Sequence, residues 1–200
     1  MKNLRKLFVF APIMVLSLTA CEGKLSEDKA KERMNKYNAS EVAEQYKTFD
    51  AIYKVTVTKK TGVFGEGGML ESVGNSIETM YDSSAESFKD QPASNGVFTT
   101  SALSDSLLAL DDLGLKFDLK FTYYHYQSTG LKINTDAKAD LDMSGYTMKV
   151  TAKSTMYVLD DGRIEKDNST MKMSVSGDVG GVKISGDLDA DVDATYNWKK

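Results

Sequence analysis

From Leu115 to the carboxyl terminus, apolar and polar residues alternate one by one through five segments. Turn signals separate them at Ser128-Thr129-Gly130, Ser144-Gly145, Asp161-Gly162 and Gly177-Asp178-Val179-Gly180-Gly181. A period of two places successive side chains on opposite faces of a pleated strand. The turns recur at intervals of about 15 to 17 residues. Each strand therefore has room for about twice the usual five or six residues. The pattern predicts an antiparallel meander of long strands with one face buried and one wet.

The faces can be written out. Leu115, Phe117, Leu119, Phe121 and Tyr123 oppose Lys116, Asp118, Lys120 and Thr122. Leu131, Ile133, Ala137, Ala139, Leu141 and Met143 share the next inner face, followed by Met148, Val150, Ala152, Met156 and Val158. Val182, Ile184, Leu188, Ala190, Val192 and Ala194 form the last. In the fourth segment Ile164 and the set Met171, Met173 and Val175 fall on opposite parities. One extra residue restores the face, so a bulge is expected near Asn168.

Ahead of the meander the signals are helical. Ser26 followed by Glu27 and Asp28 reads as an N-cap with acids in the first turn, opening a helix through Met34 and Tyr37. Asn38 with Glu41 suggests a second cap, with Val42, Tyr46 and Phe49 near helical spacing. Residues 26–50 are thus expected to be helical, and the alternation of Tyr53, Val55 and Val57 marks a strand. Residues 62–76 are rich in glycine but lack Gly-Lys-Ser/Thr, so they read as a loop or bulged strand pair rather than a phosphate cradle. A short helix is expected around Ile77 to Phe88, a loop at Gln91 to Gly96, and a helix at Ala102 to Leu113 capped by Gly114. The expected architecture is one α+β domain over 26–200, a curled sheet or half-barrel over 115–200 packed on amino-terminal and central helices.

The amino terminus carries an address. Lys2, Arg5 and Lys6 precede an uncharged run from Leu7 to Ala20, interrupted by Pro12. Such a run makes roughly 21 Å of helix, short of the ~30 Å hydrocarbon core. Positive end, apolar middle and small residues at the exit describe a signal peptide over residues 1–20. The exit, Leu18-Thr19-Ala20-Cys21, resembles the lipobox of bacterial lipoproteins. That resemblance implies diacylglycerol and then palmitate-type acylation at Cys21, cleavage before it, and export to a membrane. Two acyl chains anchor stably where one alone is marginal. With Glu22 rather than aspartate after the cysteine, the resemblance favours the outer membrane in a Gram-negative source and the cell membrane otherwise. Residues 21–25 are then a short lipidated tether. Losing residues 1–20 removes three of 25 cations and none of 29 acids, so the mature chain carries −7.

Chemistry is scarce. One cysteine excludes disulfides and multi-cysteine metal sites, and one histidine, His125, excludes the common zinc sets and two-imidazole catalysis. The acidic balance gives no reason to bind nucleic acid. Asp187, Asp189, Asp191 and Asp193 alternate along the last strand, about 6.6–7 Å apart on one face. They read as a solvated ladder with Lys149, Lys153, Lys166 and Lys172 as cross-strand partners, and as a weak metal site in the alternative. His125, in Tyr123-Tyr124-His125-Tyr126, reads as packing at a strand end, and Trp198 as the end of the last strand.

The inner face is lean at Ala137, Ala139, Ala152, Gly186, Ala190 and Ala194, which either lets a helix approach closely or leaves a hollow. It is also rich in methionine, at Met143, Met148, Met156, Met171 and Met173, side chains that adapt to irregular apolar shapes including ligands. A long curled sheet, amino-terminal helices and a lipid anchor together resemble the half-barrel carriers of lipoproteins and glycolipids, the LolA and LppX class. The resemblance is architectural and implies acyl chains held between sheet and helices. The expected function is non-enzymatic and cofactor-free: binding a hydrophobic ligand in a sheet-helix cavity. The alternative is a surface structural or protein-interaction lipoprotein with a filled core.

Overall fold

A computed structural model of the protein describes residues 23–80, 88–100, 117–143 and 145–200. Cys21 and the helix expected at 102–113 lie outside the described residues.

The meander forms as the alternation predicts. Strands β4 (Asp118–Tyr126), β5 (Gly130–Met143), β6 (Tyr146–Val158), β7 (Ile164–Val179) and β8 (Val182–Lys199) pair antiparallel in sequence order. Three further strands extend it: β1 (Lys24–Leu25), β2 (Thr48–Lys60) and β3 (Phe88–Pro92). The eight-stranded order is β1-β4-β5-β6-β7-β8-β2-β3, a curled sheet that does not close. β2 runs beside β8 from Thr48 opposite Lys199 to Lys60 opposite Leu188, joining opposite ends of the chain.

Helix α1 (Glu27–Met34) starts where its cap predicts, the Ser26 hydroxyl accepting from the Lys29 N–H at 3.4 Å. Glu27 and Asp28 sit in its first turn and Lys31 and Arg33 in its last, each favourably placed in the helix dipole. Helix α2 (Ala39–Gln45) is capped by Asn38, whose side-chain oxygen accepts from the Ser40 N–H at 3.0 Å. The helical reading of 26–50 overshoots: α2 ends at Gln45 and Thr48 already belongs to β2. Phe49 is buried as a strand residue against Trp198, with ring centroids 5.1 Å apart.

Two other expectations shift. The glycine-rich run forms a 3₁₀ turn at Gly62–Phe64, and helix α3 begins within it, at Glu71–Met80, rather than at Ile77. Gly74 lowers the intrinsic helix preference of that stretch by about 1 kcal/mol, which is why it reads as loop. The bulge in β7 falls at Glu165, not Asn168: Val158 pairs with Ile164 while Tyr157 pairs with Lys166.

The inner face carries two apolar clusters. At one end α1, α2 and β1 cover Leu131, Ile133 and Val158 with Ala30, Met34, Tyr37 and Val42. At the other, the 62–64 turn lays Val63 and Phe64 onto Met171, Met173, Val175, Leu188 and Ala190. Among the described residues no helix is long and apolar enough to cross a membrane.

Candidate functional site

Strand register places the inner-face residues in rows. One row runs Tyr53, Ala194, Asp167, Met156, Ile133 across β2, β8, β7, β6 and β5. The next runs Val55, Val192, Ser169, Ser154, Thr135, and the one after Val57, Ala190, Met171, Ala152, Ala137. Polar residues therefore occupy the middle of an otherwise apolar face, between the two clusters.

Asp167 is the anomaly in that band. Its side chain is 1% exposed, and its Oδ1 has no hydrogen-bond partner. Burial pushes its carboxyl well above the usual range, against the single opposing hydrogen bond from the Asn168 N–H. Ser169 is fully buried and donates to the Val192 carbonyl at 3.3 Å. Ser154, its cross-strand neighbour, is 5% exposed. One row beyond Ala194 on the same face, the Tyr196 hydroxyl lies 3.4 Å from that of Tyr53. Burial raises both phenols, and the Asp167 carboxylate raises them further.

A carboxyl accepts hydrogen bonds and, where it holds its proton, also donates one, and each phenol does both. Set in apolar surroundings, these groups concentrate hydrogen-bonding capacity in the middle of an aliphatic and thioether face. Buried polar groups in native proteins are almost always partnered, so an orphaned carboxyl oxygen marks a position of special use.

The methionines flank this polar band without converging on it. Met156 packs on the first cluster, and Met148, Met171 and Met173 on the second. Met143 closes β5 opposite Tyr146, and its side chain lies outside the described residues.

The aspartate ladder points outward, each member with its own partner. Lys59 meets Asp187 at 2.7 Å and Lys172 meets Asp189 at 3.3 Å. Thr170 donates to Asp191 at 2.9 Å and Asn168 to Asp193 at 3.1 Å. Of the lysines expected as partners only Lys172 reaches the ladder. Lys153 lies 3.8 Å from Asp136 and Lys166 sits over the Tyr157 ring. Among the described residues no three His, Cys, Asp or Glu side chains are grouped to hold a metal ion.

His125 packs at the end of β4, its Nδ1 2.9 Å from the Arg33 guanidinium. Trp198 lies near the end of β8 and donates to the Ile164 carbonyl at 2.9 Å.

Asp167 was legible in principle. Extending the parity of Met171, Met173 and Val175 backward gives Ser169 and Asp167 on the same face. A bulge at Asn168 instead turns that aspartate outward. A carboxylate at a core position is itself a reason to move the bulge, and sequence pattern alone does not show which way.

Comparisons with protein-family models, with curated proteins and with solved structures find no match to the chain.

Proposed function

We propose that the protein is an exported bacterial lipoprotein, anchored through Cys21, that binds an amphipathic ligand on its inner sheet face without chemical turnover. The ligand's polar head meets Asp167, Tyr53 and Tyr196, and its apolar body lies along the neighbouring methionine and alanine rows. The observation that carries this reading is the unpartnered Oδ1 of Asp167 in an apolar, nearly solvent-free setting. A bare carboxyl there is destabilising, and a ligand donor or acceptor would satisfy it. The architecture, a curled antiparallel sheet with helices and a turn packed on one face, supports the same reading.

Organic extraction of the purified full-length protein is expected to release about one small amphipathic molecule per chain. Asp167→Leu is expected to reduce that yield strongly while the circular dichroism of the sheet persists. An empty extract from the unaltered protein would overturn ligand carriage. For the anchor, metabolic labelling with a radioactive fatty acid is expected to mark the protein and to be abolished by Cys21→Ala. Undiminished label on the alanine variant would overturn lipidation at that cysteine.

A further inference from the structure

At the end of the sheet where the described chain begins, a cleft of about 440 Å³ lies between α1 and the β4–β5 turn. Lys29, Arg33 and Lys36 line it at helical spacing, with His125, Tyr37 and Asp160. Arg33 is half-buried there, yet neither of its partners is a carboxylate: Nη1 donates to the Gly130 carbonyl at 2.8 Å and Nη2 lies 2.9 Å from His125 Nδ1. No carboxylate lies within ion-pairing distance of this guanidinium among the described residues. The two acids on the walls are engaged elsewhere. Glu32 pairs with Lys36 at 2.9 Å, and Asp160 is occupied by the Ser128 hydroxyl and, at 2.8 Å, the Thr129 N–H. Burial pushes the Asp160 carboxyl up, but these bonds outweigh it and hold the group below its usual range, charged and satisfied.

A guanidinium has five N–H donors in a rigid fork suited to phosphate, and among the described residues two of the five have partners. The cleft therefore presents an oriented, uncompensated cation with Lys29 beside it, on a body whose mature charge is −7. Its position supplies the second argument. The His125 N–H donates to the Gly23 carbonyl at 3.2 Å, and Lys24 pairs with Tyr124. Cys21 is two residues before Gly23, a reach of at most about 7 Å of chain.

We infer that this cleft docks the phosphate headgroup of an anionic phospholipid from the membrane that holds Cys21. This inference rests on the anchored reading, which brings the cleft to the bilayer surface. It also gives the short tether a purpose. The acidic body as a whole is repelled by an anionic leaflet while this cationic mouth is drawn to it, which favours one orientation of the sheet. Each cation near such a surface contributes roughly a fivefold gain in partitioning, falling off within a Debye length.

The test uses the full chain purified from membranes, its intact mass giving the lipid state of Cys21. The protein is reconstituted in vesicles of phosphatidylcholine alone or mixed with phosphatidylglycerol, and amide exchange is followed over α1 and residues 123–130. Exchange there is expected to slow by roughly fivefold in the phosphatidylglycerol vesicles. The exposed pair Lys29→Glu with Lys36→Glu, and separately high salt, are expected to abolish the difference. A lipidated protein with equal exchange in both vesicles, or protection indifferent to the charge reversals, overturns the docking site and leaves the anchor standing. A protein without the lipid mass overturns the anchor. If such protein still shows charge-dependent protection with phosphatidylglycerol, the headgroup site stands on its own.

Discussion

Replacing Asp167 by asparagine is expected to raise the stability of the ligand-extracted protein at neutral pH and to remove most of its pH dependence above the acid range. Burial lifts the native carboxyl well above its ordinary value of 3.8. Above that value the unfolded chain has released a proton that the native chain still holds. Stability is therefore complete below the unfolded value and falls as pH rises, by about 1.4 kcal/mol per pH unit, until the native carboxyl ionises too. Asparagine has no such slope, so the variant gains on the parent progressively as pH rises above the ordinary carboxyl value. Urea midpoints at several pH values measure it. A variant less stable than the parent, with the slope intact, would show that the carboxyl is satisfied and structural. Extraction of ligand comes first, because a bound molecule stabilises the parent by mass action and hides the cost. Leucine at the same position separates the two roles. It also relieves the buried acid, but it lacks the donor and acceptor that asparagine keeps, so ligand is lost with leucine and partly retained with asparagine.

That a destabilising group sits in the sheet explains where sequence reading succeeds and where it stops. The five carboxyl-terminal strands are legible because each keeps a two-residue period over a length that no helix imitates. Turns with Gly145, Gly162, Gly180 and Gly181 punctuate them, and all four glycines adopt positive φ. The alternation of Leu188, Ala190, Val192 and Ala194 with four aspartates fixes both faces of β8. The partner of its free edge is a different matter. β2 pairs there across a separation of more than a hundred residues, and alternation identifies a strand without naming its neighbour. Lys54 opposite Asp193 and Lys59 opposite Asp189 are consistent with that register but too common a pairing to predict it. Phe49 shows a second limit. Its spacing from Val42 and Tyr46 suits a helix, yet packing on Trp198 and pairing with β8 override local preference. The candidate site was hidden by one residue of register. With the bulge at Glu165, Asp167 turns inward; with the bulge at Asn168 it turns out to solvent, and hydrophobic pattern alone permits either.

Phe64→Ala is expected to be the most damaging single change in the second cluster, lowering stability by about 3–5 kcal/mol. Phe64 is fully buried although it stands in a 3₁₀ turn between two surface stretches, Thr61 and Gly65–Gly68. The turn reaches the sheet because two glycines remove what would stand between them. A Cβ on Gly186 would lie 2.5 Å from the Thr61 carbonyl oxygen and 2.6 Å from the Val63 nitrogen. Gly62 adopts a φ of +58°, and a Cβ there would meet the Ser185 carbonyl oxygen at 2.0 Å. At this end of the inner face the lean residues therefore serve close approach. Gly186→Ala should push the turn off β8 and cost about 1–3 kcal/mol. The two effects share one cause, the seating of the turn, so they should not add. Once alanine at position 64 has removed the buried ring, the turn has less to lose by lifting, and the second substitution becomes cheaper. A double-mutant cycle in urea is expected to give a coupling of about 1 kcal/mol or more, where independent sites add within about 0.5 kcal/mol. Strict additivity would mean that Phe64 is held by something other than the contact with β8. Measured on ligand-extracted protein, the cycle also reports on the binding face. Phe64 packs on Met171 and Met173, two and three rows from Asp167. A ligand whose body extends to those methionines should bind Phe64→Ala more weakly than its loss of stability alone requires, while a ligand confined to the polar band should be indifferent to it.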